Sequence, residues 1–136
     1  MNNSEAIFKF ANMLALISWL YLAAFPFRPL TYKLLVGVAV ALLSLTYTAL
    51  VFNALSPIDF QKFNTLDGVI SLMKMPGVAL FGWIHYLAFD LMVGVFIAAN
   101  AAKHGIGRWL IMPCLLFTFM LGPVGLLMYL LVRWSV

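Results

Sequence analysis

Residues 78–102 read VALFGWIHYLAFDLMVGVFIAANAA, a 25-residue run with one carboxylate, Asp90, and one imidazole, His85. A helix crosses a hydrocarbon core about 30 Å thick with about 20 mostly apolar residues, so this run is long enough to span. Three further runs meet the same requirement. The first covers Ala6 to Phe25 and stops at Pro26 and Pro29; the second covers Leu34 to Phe52 and stops near Asn53, Ser56 and Pro57; the last covers Trp109 to Val132. The turns Phe25 to Lys33 and Lys103 to Arg108 are short, which makes the runs they join antiparallel neighbours.

The connection from Ala54 to Gly77 is longer. Within it Leu66, Val69, Ile70 and Met73 recur at helical spacing, and Asn64 or Thr65 is placed to cap that segment. This predicts a short helix on the membrane surface or over one end of the bundle. The fold expected is all-α: one domain over residues 1–136, an integral membrane four-helix bundle with a short interfacial helix between helices 2 and 3.

Composition agrees. Of 136 residues, 65% are hydrophobic and 9% charged, with a mean hydropathy of +1.07. A soluble domain carries about 25% charged residues, so membrane lipids must supply part of this chain's solvent. Eight Lys and Arg against four Asp and Glu give a net charge of +4. These charges sit between apolar runs rather than in a patch, so they read as topology determinants and no nucleic-acid partner is expected. In a four-span arrangement Arg28, Lys33, Lys103 and Arg108 face Lys9, Lys62, Lys74 and Arg133 across the membrane, a balance that fixes no orientation. Glu5, Asp59 and Asp67 then lean both termini away from the cytoplasm. Cys114 is the single cysteine, which excludes an internal disulfide and reads as a small apolar residue. The first run lacks a clean cleavage site and no transit segment precedes it, so it is expected to stay as a helix in a bacterial inner membrane.

Asp90 falls about 18 Å along its helix, near mid-bilayer depth. An ionised carboxylate there costs a few kcal/mol unless it pairs, protonates or meets water, which makes it a functional candidate by default. His85 is five positions earlier, about 140° away around the helix. Trp83, Tyr86 and Gly94 share the face of Asp90, whereas Phe89 lies nearer His85. Asn12, inside the first run, needs a partner, for which Asp90 and His85 are candidates. Leu121-Gly122-Pro123-Val124-Gly125 predicts a kink at Pro123, with glycines that let a backbone or a flat ligand approach. The chain has no phosphate-cradling glycine loop, dinucleotide fingerprint or nucleophile elbow, and its two histidines are too few for a histidine-rich di-iron site.

The chain resembles the abscisic acid-deficient protein 4-like family, which includes plant neoxanthin synthase. The resemblance rests on Phe10-Ala11-Asn12, on Gly82 to Leu91 with Gly94, on Gly105-Ile106 and Pro113-Cys114, and on Leu121 to Leu126. It covers nearly the whole chain, and the run Trp83 to Asp90 is its most specific part. It implies carotenoid chemistry: opening of an epoxide with loss of a proton, an isomerisation that needs an acid, a base and an apolar slot but no redox cofactor. His85, Asp90 and Asn12 are then the expected catalytic residues, with Asp90 the protonated acid and His85 the base, or the reverse. Trp83, Tyr86, Phe89, Gly94, Gly122 and Pro123 are expected to line the slot for a carotenoid or another apolar isoprenoid. Two alternatives compete. One is a non-catalytic binding or assembly protein, with homo-oligomerisation left open. The other is a carotenoid-cleaving oxygenase with a metal at His85 and Asp90.

Overall fold

The computed structural model describes residues 2–54 and 58–136. It is all-α. Helix α1 covers Asn3–Ala24. The second long helix is continuous in direction but changes pitch: α2 (Pro29–Leu34) runs through a π-helical turn (Leu35–Val40) into α3 (Ala41–Ala54). The expected end of this run at Ser56 and Pro57 lies outside the described residues. A 3-10 turn (Phe60–Asn64) leads to α4 (Leu66–Met73), then α5 (Pro76–Lys103), α6 (Arg108–Leu121) and α7 (Pro123–Ser135).

Among the described residues, α1, the α2–α3 helix and α5 are long and apolar enough to cross a membrane. The short helix α4 forms where the apolar spacing predicts it. Thr65 caps it, its hydroxyl accepting from the Gly68 N–H at 3.1 Å.

The last run departs from the expectation of a fourth spanning helix. At 14 and 13 residues, α6 and α7 are only about 21 and 20 Å long, short of a hydrocarbon core. Nor is the break between them a kink. Gly122 adopts φ +47°, a backbone conformation that favours glycine, and the chain reverses there. Gly125 lies directly against the Cys114 carbonyl and the Thr118 backbone, residues that precede it by about three and two helical turns of sequence. A continuous helix would hold Cys114 and Gly125 about 16 Å apart. Pro123 therefore opens a new helix at a position that needs no N–H, instead of bending an old one.

Two contacts fix where this hairpin stands. At its base, the Arg108 guanidinium donates to the carbonyls of Ala23 at 2.8 Å and Ala24 at 3.3 Å, capping the C-terminus of α1. On its return arm, the fully buried Tyr129 hydroxyl donates to Asn100 Oδ1 at 2.6 Å, near the end of α5. Both arms thus belong to one end of the bundle, the end that holds Ala24, Lys103 and Arg108. The chain begins at the opposite end, so its termini lie at different ends rather than together.

Small residues bring the helices close. Ala11 and Ala15 of α1 and Ala88 of α5 are buried in one cluster with Leu43, Leu80, Ile84 and Leu87. Ala98 and Ala101 of α5 are buried in a second cluster with Ile111, Cys114, Leu115 and Tyr129 of the hairpin. Such residues maximise van der Waals contact between apolar helices, the main source of cohesion where no water need be expelled.

Candidate functional site

Asp90 sits midway along α5, which extends from Pro76 to Lys103. Its side chain points at the tip of the α6–α7 hairpin. A Cβ added to Gly122 would lie 2.7 Å from Asp90 Oδ1 and 3.2 Å from Oδ2, so the carboxyl rests against the bare backbone of the reversal. Asp90 is 9% exposed, and its Oδ2 is fully buried without a hydrogen-bond partner. One turn earlier, Tyr86 places its hydroxyl beside this carboxyl and donates to the Met120 carbonyl at 3.2 Å. That acceptor is one of the last carbonyls of α6, which the helix itself leaves unpaired.

On the other side of Tyr86, the ring of Trp83 lies 5.3 Å away, and its indole N–H donates to Asn12 Oδ1 at 3.0 Å. The Asn12 amide in turn donates to the Phe8 carbonyl at 2.9 Å. Asn12 therefore finds its partner in Trp83, not in Asp90 or His85. Asn12, Leu16, Trp83, Tyr86, Phe119 and Met120 border a cavity of about 380 Å³. The hairpin stops at mid-bundle, and among the described residues no helix continues α6 above its tip. Leu16 and Phe119 also border a second, almost wholly apolar groove of about 430 Å³ between α1 and α6, which runs on to Ala23 and Met112.

His85 is not part of this chamber. It is exposed on the outer surface, its ring stacked on Phe89 at 4.7 Å and tilted against Tyr47 at 5.6 Å. The angular offset between positions 85 and 90 takes the two side chains to different neighbours, and among the described residues no hydrogen bond or ion pair joins them. A metal shared by His85 and Asp90 does not fit this arrangement, and no three His, Cys, Asp or Glu side chains gather among the described residues. Phe89 is 61% exposed and follows His85 outward. Gly94 faces inward but is closed by the Trp19 ring, 2.5 Å from where its Cβ would be, so it serves packing between α1 and α5. Of the expected residues, Asn12, Trp83, Tyr86, Asp90 and Gly122 come together; Pro123 opens α7 just behind the tip.

Sequence reasoning missed Phe119 and Met120, which join the site only because α6 ends there. It also missed the Asn100–Tyr129 bond that holds the return arm. Its signal was present: an asparagine in an apolar run needs a partner.

Residues 6–129 match the family described as ABA DEFICIENT 4-like. The chain belongs to this family. No curated protein and no solved structure matches it. ABA DEFICIENT 4-like membership suggests a carotenoid-related function. The matched range includes Asn12, Trp83, Tyr86, Asp90, Phe119, Met120 and Gly122.

Proposed function

We propose that this protein is an integral membrane enzyme that acts on a carotenoid or a related apolar isoprenoid by acid–base isomerisation centred on Asp90. The observation that carries the proposal is the buried, unpartnered Oδ2 of Asp90, packed behind Tyr86, whose side chain borders the chamber. A carboxyl group is costly in such surroundings and is kept neutral more cheaply than charged. A neutral carboxyl at Oδ2 is a proton donor. Once a bound substrate displaces the packing that covers Oδ2 and seats an oxygen there, such as an epoxide oxygen, the proton passes to that oxygen as the C–O bond breaks. The electron deficit left on carbon spreads along the conjugated chain. The carboxylate so formed then takes a proton from a neighbouring carbon, and the electron pair of that C–H bond forms the new double bond. An isomerisation consumes no net proton, so one carboxyl can serve in both steps and no second titratable group is required. Tyr86 would steady the carboxylate between them. The α1–α6 groove gives the apolar remainder of the substrate a place to lie.

The test is Asp90→Asn, which keeps shape and removes the transferable proton. Expressed in carotenoid-producing cells, it should abolish the pigment change seen with the unaltered protein, while the purified variant keeps its thermal transition. Full turnover by the variant would refute the acid–base role. The contact between Asp90 and Gly122 favours a second reading, in which the carboxyl only holds the hairpin turn. Under it, Asp90→Asn lowers the thermal transition and changes no pigment.

A further inference from the structure

The hairpin divides the bundle into two unlike halves. Below its tip, towards Lys103, the α1–α6 groove is lined by Leu16, Trp19, Leu20, Met112, Leu116 and Phe119, where the Trp19 indole is the one side chain with a polar group. Above its tip, the chamber carries the Asn12 amide, the Trp83 indole N–H and the Tyr86 hydroxyl. Trp83 is also the inner wall of a third cavity of about 430 Å³. This cleft lies between α1 and α5, passes Phe8 and Ala79, and ends at Ser4 and Glu5 at the N-terminal end. The Tyr86 hydroxyl, the Asn12 amide and the Trp83 N–H, and beyond them Ser4 and Glu5, thus lead from the chamber to the N-terminal end of the bundle. An amphiphilic ligand fits with its oxygenated end towards Glu5 and its hydrocarbon end towards Ala23. A lipid of the leaflet at the N-terminal end already has this orientation, with its head at that surface and its tail at the midplane; one from the opposite leaflet is inverted.

The reversal at Gly122 also reassigns Arg133. Arg28, Lys33, Lys103, Arg108 and Arg133 now share the hairpin's end, and Lys9, Lys62 and Lys74 belong to the other. Lys9 is already paired with Glu5 at 3.0 Å. Basic residues near helix ends mark the cytoplasmic side. Five against three replaces the even balance of a four-span chain and places the hairpin base in the cytoplasm.

We infer that the chamber receives its apolar isoprenoid laterally from the non-cytoplasmic leaflet, through the Phe8–Trp83 cleft, oxygenated end outward. This rests on the reading of the chamber as an isoprenoid site, whereas the membrane orientation does not. The orientation is tested in intact cells with a membrane-impermeant maleimide, using Ser4→Cys and Ser135→Cys in a Cys114→Ala background. Ser4→Cys should label directly and Ser135→Cys only after permeabilisation. Labelling of both from outside, of neither, or of Ser135→Cys alone would overturn the inference. The entrance is tested on the purified protein by quenching of tryptophan fluorescence with zeaxanthin. Ala79→Trp, which fills the cleft, should weaken binding at least tenfold, and Leu131→Trp on the outer face of α7 should leave it unchanged. Unaltered binding by Ala79→Trp would overturn the entrance alone. No binding by the unaltered protein would overturn the isoprenoid reading and the entrance with it.

Discussion

Asp90 Oδ1 occupies space that a Cβ on Gly122 would require, at 2.7 Å, so the carboxyl of α5 and the backbone reversal of the hairpin exist in this form only together. The glycine is needed twice, once for its φ of +47° and once for this approach. The carboxyl in turn is dry because the tip closes over it. A feature of topology, the reversal, thereby creates a feature of chemistry, a carboxyl buried at mid-bundle with one oxygen free.

Gly122→Ala separates the two requirements. Backbone strain at such a position costs about 1–3 kcal/mol, and the collision with Asp90 adds to it. The variant should melt several degrees lower in detergent and lose activity. Combining it with Asp90→Ala removes the collision but not the strain, so the thermal transition should recover in part. Additive losses in the double variant would show that the two residues do not compete for the same space.

His85→Phe asks whether the imidazole takes part in chemistry. Because His85 packs against Phe89 and Tyr47 on the outer face, the substituted ring keeps those contacts. Turnover should fall by less than about threefold, against the 10²-fold to 10⁴-fold expected on loss of a group that transfers the proton. A loss of 10²-fold or more in this variant would return His85 to the mechanism.

The three long helices were legible because spanning length is a property of sequence alone, and α4 because its apolar spacing and Thr65 cap are local. The relation of His85 to Asp90 was also legible in part: an offset of five residues on one helix already turns their side chains apart. The hairpin was not legible. Gly122 and Pro123 suit a kinked helix as well as a reversal, since proline is tolerated at the start of a helix and also bends one. What decides between them is the pairing of Tyr129 with Asn100 and of Gly125 with Cys114. The first pairing joins positions 29 residues apart on different helices, which no local pattern encodes. The partner of Asn12 was hidden for the same reason: its depth was readable, but the helix facing it at Trp83 was not.

The Tyr129–Asn100 bond can be measured through a double-mutant cycle with Tyr129→Phe and Asn100→Leu. Interhelical hydrogen bonds in membranes contribute about 0.6 kcal/mol on average and up to about 1.7. A coupling of about 1 kcal/mol, read from unfolding in mixed micelles, is expected for a bond of 2.6 Å to a fully buried hydroxyl. If α7 instead crossed to the far end of the bundle, the coupling would vanish.

Glycine-to-alanine changes at three positions should give three outcomes, and their order reports the hairpin directly. At Gly37 an added Cβ meets nothing within 4 Å, so Gly37→Ala should be neutral or slightly stabilising. At Gly94 it meets the flat edge of Trp19 at 2.5 Å and Leu22 at 3.1 Å. These side chains can shift, and a cost of about 1–3 kcal/mol is expected for overpacking. At Gly125 it meets the backbone of Cys114 and Thr118, which cannot move without opening the reversal. Gly125→Ala should therefore be the most damaging of the three. It should also loosen Asp90, because the carboxyl is sealed by the same turn. Thermal transitions in one detergent rank the variants. A Gly125→Ala protein as stable as Gly37→Ala would mean that α7 does not fold back on α6, since in a straight helix both positions accept a methyl group with ease.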